Sequence, residues 1–123
     1  MFGKNKGKWK SNSKLIAIDF DDTITNFAPY PHTGTLNKKA EKYIRLLVEN
    51  GYTLILWTAR TGENYKEACK LIEEWNLPIK LDDKSKYEHG TTGKISVDFF
   101  IDDRSFTGKI NWRKLYKYIL NNV

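Results

Sequence analysis

The stretch IAIDFDDTIT, residues 16–25, starts as a buried strand and then sets three carboxylates within four positions. Asp19, Asp21 and Asp22 follow Ile16, Ala17 and Ile18, with only Phe20 between them. Like charges this close repel one another, and ionised carboxylates beside an apolar run are costly to desolvate. In an extended chain the period of two sends Asp19 and Asp21 to one side, and Phe20 and Asp22 to the other. Two carboxylates on one side can divide labour. One, beside a cation and a phosphorus atom, attacks as a nucleophile, while the other carries a proton to the leaving group and then activates water.

Reading outward, residues 14–20 predict a strand buried on both faces, and residues 26–36, with two prolines and a glycine, a loop. Asn37 can cap a helix over about 38–49, with Ala40, Tyr43, Ile44, Leu47 and Val48 on its apolar side and Asn50-Gly51 ending it. YTLILW at 52–57 is a second buried strand. A second helix is expected over about 62–75, carrying Tyr65, Ala68, Leu71, Ile72 and Trp75 on one side, with Pro78 just beyond. A short strand is expected near Ile79–Leu81, a polar loop over 82–94, a strand over 96–101 and a last helix near 111–120. Trp112, Leu115, Tyr116 and Ile119 lie at helical spacing there, so Trp75 and Trp112 read as core side chains rather than a base-stacking surface. Strands alternating with helices predict an α/β fold, a three-layer, Rossmann-like open sheet that is mainly parallel.

The 123 residues suit one domain with a real core, and 40% hydrophobic and 14% aromatic residues suit a globular chain. No apolar run approaches the ~18 residues that span a bilayer, and the run after the Lys-rich start is too short for a signal peptide. The chain therefore reads as a soluble, cytoplasmic protein without a membrane partner. The single cysteine, Cys69, excludes an internal disulfide and a Cys-rich zinc site, and His32 and His89 read as loop residues. The net charge is +6, but Lys4, Lys6, Lys8, Lys10 and Lys14 precede the first acid; without them 16 basic residues face 15 acids. Residues 1–13 thus form a basic tail ahead of a domain over 14–123. Such a tail either binds nucleic acid by counterion release or merely aids solubility.

Ligands of open α/β sheets bind beyond the carboxyl ends of the strands. Asp19, Asp21 and Thr23 follow the first strand, Thr58 closes the second, and Asp102-Asp103 close the last. If these strands are neighbours, four or more carboxylates meet at one edge and need a cation; hard oxygen ligands favour Mg²⁺ over zinc. The Thr58 hydroxyl and the Lys94 ammonium could hold phosphoryl oxygens there.

The order of these motifs resembles that of the haloacid-dehalogenase-like (HAD) phosphohydrolases. The D-x-D-x-T motif matches Asp19, Asp21 and Thr23, and the strand-closing Thr matches Thr58 in LILWT. The Lys ahead of the last strand is best matched by Lys94, and the acidic pair by Asp102 and Asp103 in FFIDDR. The resemblance implies a Mg²⁺-dependent phosphatase with an aspartyl-phosphate on Asp19 and Asp21 as general acid/base. It implies metal binding by the Asp19 carboxylate, the Asp21 main-chain carbonyl and Asp102, with Asp103 assisting, and phosphoryl binding by Thr58 and Lys94. Asp22 stands where the family often has Gly, and neither insertion point has room for a cap domain. WTARTGENY further resembles a group of small capless proteins of bacteria and phages, and Arg60 a turn in phosphatase domains attached to polynucleotide kinases. Arg60 could clamp a second phosphate or a nucleic-acid backbone, or else pair with a nearby carboxylate.

A phosphatase for a phosphorylated small molecule or nucleotide is therefore the leading reading. The alternatives are an enzyme acting on the 3′- or 5′-phosphate ends of polynucleotides and a non-catalytic HAD-like binding protein. A receiver-type signalling domain carries similar residues, but places its phospho-accepting Asp after a middle strand, followed by Thr and Lys, an order this chain lacks.

Overall fold

Period-two and period-3.6 patterns alternate along the chain, and the folded chain follows them. A computed structural model describes residues 14–81, 97–103 and 109–123. Its elements run β1 (Leu15–Ile18), α1 (Lys38–Glu49), β2 (Thr53–Leu56), α2 (Gly62–Glu74), β3 (Ile79–Lys80), β4 (Phe99–Ile101) and α3 (Trp112–Asn122). The strands form one sheet in the order β3-β2-β1-β4, and every pairing is parallel. The fold is a Rossmann-like open α/β sheet, and no cap domain is present among the described residues.

β1 is central, and Ile16, Ala17 and Ile18 are all buried, as a strand covered on both faces requires. Ile16 and Ile18 join Leu54, Leu56, Ile79 and Ile101 in the core, together with Ala40, Ile44 and Leu47 of α1. Each such aliphatic side chain stabilises the fold by roughly 1.5–3 kcal/mol through burial. α1 begins where expected because the Asn37 side chain accepts the Ala40 N–H at 3.0 Å. It ends at Asn50, where Gly51 takes a φ of +94° and turns the chain into β2. α1 packs on β2 and α3, and Tyr43 meets Tyr116 across the helix pair with ring centroids 5.3 Å apart. Tyr52 shares its hydroxyl between the carbonyls of Ile119 and Val123, both at 3.1 Å, which ties the end of α3 to the start of β2. Trp112 is buried, and Trp75 stacks on Phe20 with centroids 6.4 Å apart, so both tryptophans serve packing.

The strands are shorter than the sequence pattern predicts. β1 stops at Ile18 because the Phe20 carbonyl accepts the N–H groups of Thr23, Ile24 and Thr25, folding the chain into a tight turn. Asp22 sits in that turn with a φ of +61°, in the left-handed region that glycine enters most easily and Asp tolerates. That conformation gives a physical reason for glycine's use at this position in the family the motif resembles. Of the expected strand over 96–101, residue 96 lies outside the described residues and β4 covers Phe99–Ile101; just before it the Asp98 N–H donates to the Leu15 carbonyl and the Asp98 carboxylate accepts the Leu15 N–H, both at 2.8 Å. The segment 82–94 and Lys94 lie outside the described residues.

After the turn, Thr25 and Leu36 form an antiparallel bridge, and the Asn26 N–H donates to the Thr35 carbonyl at 2.8 Å. The bridge pinches the loop between them closed at its base. A Cβ on Gly34 would overlap the carbonyl oxygen of Asn26, so only glycine fits where the two chains cross. Gly34→Ala is expected to destabilise the protein by about 1–3 kcal/mol, read as a lower urea midpoint with an unchanged slope.

Candidate active site

Register decides what meets at the sheet edge. Ile18 pairs with Leu56 on one side and Ile101 on the other. The ladder continues one step further, with the Asp19 N–H donating to the Ile101 carbonyl and the Trp57 N–H to the Ile18 carbonyl, both at 2.9 Å. Asp19 is thereby held beside the ends of β2 and β4. Asp19, Asp102 and Asp103 each present a carboxylate oxygen within 4.8 Å of the others.

Burial and this crowding raise the proton affinity of Asp19 and Asp103. Burial pushes Asp19 up from 3.8 to about 7, and the charges of Asp102 and Asp103 add to it, against an N–H of Phe20 that favours the anion. Asp103 is shifted upward as well, by burial and by its hydrogen bond with Asp102. A six-coordinate Mg²⁺ holds oxygens at ~2.1 Å, so opposite ligands lie about 4.2 Å apart. An all-oxygen set at this spacing, with no His or Cys in it, fits a hard divalent cation.

The other residues singled out in the sequence fall into two groups. Thr58 is nearly buried at the end of β2, and its hydroxyl oxygen accepts the Arg60 N–H at 3.2 Å. Thr23 is buried in the turn after Phe20, and its hydroxyl finds no hydrogen-bond partner among the described residues. Asp21 is not among the three acids whose oxygens gather within 4.8 Å. Its carboxylate accepts two hydrogen bonds from Arg60, at 2.7 Å from Nε and 2.6 Å from one terminal nitrogen.

Arg60 takes the second of the two roles open to it in the sequence. Its side chain is 1% exposed and pairs with Asp21 rather than presenting its charge to a second phosphate. The guanidinium also donates to the carbonyls of Pro31 at 3.3 Å and His32 at 3.0 Å. It lies over the rings of Phe20 and Tyr30, 5.5 and 5.2 Å from their centroids. Asp21 is the first cause of the further rise in the already high pKa of Arg60. One buried cation thus links the turn after β1, the start of α2 and the loop after Asn26. The sequence places the loop over 26–36, with Tyr30 and His32, at the border of the site, without showing which contacts its residues make. Their one signal is the run Tyr30-Pro31-His32, stiff and aromatic, in the connection that follows Asp21.

A parallel α/β sheet that gathers carboxylates at its carboxyl edge defines the class of the protein. Among solved structures, a conserved protein from Bacteroides thetaiotaomicron is 31% identical, with a TM-score of 0.74, over 91% of this chain and 93% of that one. The chain belongs to the same family as that protein. No family model matches the sequence, and no curated protein does. No helix among the described residues is long and apolar enough to cross a membrane.

The raised pKa of Asp19 has a consequence for stability. Between the unfolded value of 3.8 and the folded value of about 7 the folded chain keeps a proton that the unfolded chain loses. Stability from this group is therefore full at acid pH and is lost as pH rises through 7. Without divalent cations, the melting temperature of Asp19→Asn is expected to exceed that of the native chain at about pH 8 and to approach it near about pH 4. Adding Mg²⁺ at the higher pH should raise the melting temperature of the native chain and move that of Asp19→Asn much less.

Proposed function

We propose that the protein is a phosphomonoesterase in which Asp19 attacks phosphorus. The observation that carries this reading is the convergence of Asp19, Asp102 and Asp103 at the carboxyl edge of the sheet, beside Thr58. Three carboxylates in mutual contact are a liability to a folded chain unless a cation and an anionic substrate make use of them. The Asp19, Asp102 and Asp103 carboxylates would hold a Mg²⁺ ion, which would supply the charge neutralisation that an anionic nucleophile needs to approach a phosphate.

In the first step a carboxylate oxygen of Asp19 forms a bond to phosphorus as the bond from phosphorus to the ester oxygen breaks. Asp21 gives its proton to the departing oxygen. In the second step Asp21 takes a proton from water, the water oxygen bonds to phosphorus, and the phosphorus–Asp19 bond breaks to release phosphate. Thr58 orients the phosphoryl oxygens, and Lys94 is assigned the same task from the sequence. Both oxygens of Asp21 accept from Arg60 in the resting arrangement, so Asp21 must release one of those bonds to reach the leaving oxygen. With 37% of its side chain exposed, Asp21 has room to do so. Arg60 therefore acts as a positioning residue for the proton carrier.

A phosphorylated metabolite or nucleotide is the substrate class this arrangement suits. A polynucleotide end remains a second reading, favoured by the basic residues 1–13. Asp19→Asn is expected to abolish Mg²⁺-dependent phosphate release from a generic aryl phosphate, and turnover at the native rate would sink the nucleophile assignment. Arg60→Lys keeps the charge but loses the fork that grips Asp21. A kcat about tenfold lower, with a smaller change in KM, is expected; equal kcat values would limit Arg60 to a structural role.

A further inference from the structure

The loop closed by the Thr25–Leu36 bridge exposes two large aromatic side chains, Phe27 at 73% and Tyr30 at 62%. Exposed aromatics on loops are common, but Tyr30 is not a loose one. Its ring lies 5.2 Å from the Arg60 guanidinium carbon, and its hydroxyl accepts a hydrogen bond from the Asn64 side chain at 2.8 Å. The backbone beside it is held too, through the carbonyls of Pro31 and His32 on Arg60. The ring is thus fixed at its tip by α2 and approached by a buried cation, while most of its surface faces outward. Fixing an apolar ring and leaving it wet is an arrangement that packing alone does not call for.

Position gives the ring its meaning. The same guanidinium that lies against Tyr30 grips Asp21, so one buried side chain joins the ring to the proton carrier. That places the ring one side chain from Asp21, within reach of the far end of a leaving group that takes its proton there. We infer that Tyr30 is a stacking platform for a nucleobase, which makes the substrate a nucleotide phosphomonoester. The inference rests on the phosphatase reading and narrows its substrate class. A base can lie on the outward surface of Tyr30 whatever its identity, because every base has a π-face. The platform therefore selects for a planar group near the phosphate and discriminates weakly among bases. A mononucleotide and the end of a strand both carry such a base; the chemistry is shared, and the assay separates them.

The test compares the full-length protein with Mg²⁺ on three substrates: a nucleoside monophosphate, a short end-phosphorylated oligonucleotide and glycerol phosphate, which has no planar group. The readout is the ratio of kcat/KM for each nucleotide to that for glycerol phosphate. In Tyr30→Leu this ratio is expected to fall about tenfold, and in Tyr30→Trp to be kept or to rise. A fall of the same size in both variants, or a native ratio near one, overturns the platform. Loss confined to the oligonucleotide assigns the base to a strand end, and loss with both nucleotides assigns it to the mononucleotide as well. If no substrate is turned over, the phosphatase reading fails while the platform is still tested by calorimetric titration of the nucleoside monophosphate. Affinity about tenfold weaker in Tyr30→Leu than in the native chain supports it, and equal affinity or no binding by the native chain overturns it.

Discussion

The ladder that carries β1 one residue past its last full pair is the contact on which the site depends. The Asp19 N–H reaches the Ile101 carbonyl on one side, and the Ile18 carbonyl receives the Trp57 N–H on the other. Parallel pairing in this register brings the ends of three strands level, which is why Asp19 faces Asp102 and Asp103 and why Thr58 is near. A slip of one residue would exchange the buried faces on which Ile16 and Ile18 pack and move Asp19 out of line with Asp102 and Asp103. The hydrophobic core and the acidic cluster are therefore two consequences of one register.

Immediately beyond this ladder the chain changes character. The Phe20 carbonyl gathers three N–H groups, Asp22 takes a positive φ, and Asp21 leaves the line of the strand for Arg60. Two acids that start two residues apart end in contrasting surroundings. Asp19 is half-buried among other carboxylates and holds its proton unusually tightly. Asp21 is gripped by a cation that is itself buried between two rings and two carbonyls. A division of roles between the two carboxylates would rest on this difference in environment.

The open parallel sheet, the helix positions and the acids of the cluster were legible because each rests on a local pattern, whereas the strand order was not. Ile16–Ile18 and Leu54–Leu56 are apolar runs bounded by polar residues, and Asn37 marks the start of α1 before any tertiary contact forms. The Asp21–Arg60 pair was not readable as such. It joins residues 39 apart, and Arg60 had two chemically reasonable partners until the turn at Phe20 placed Asp21 before it. Period two alone could not show the partner of Asp21, since alternation holds only while the backbone stays extended. Tyr30 was legible as a loop aromatic, but its anchoring by Asn64 and Arg60 is a product of the folded loop.

The central claim is that Asp19 becomes covalently bound to phosphorus, and trapping that bond tests it most directly. The protein would be mixed with Mg²⁺ and a phosphate-labelled substrate, quenched in acid within one turnover, digested and mapped by mass spectrometry. The account predicts label on the peptide that contains Asp19, removed by hydroxylamine as an acyl phosphate requires. Label on a different residue, or turnover with no labelled peptide at any quench time, would contradict it.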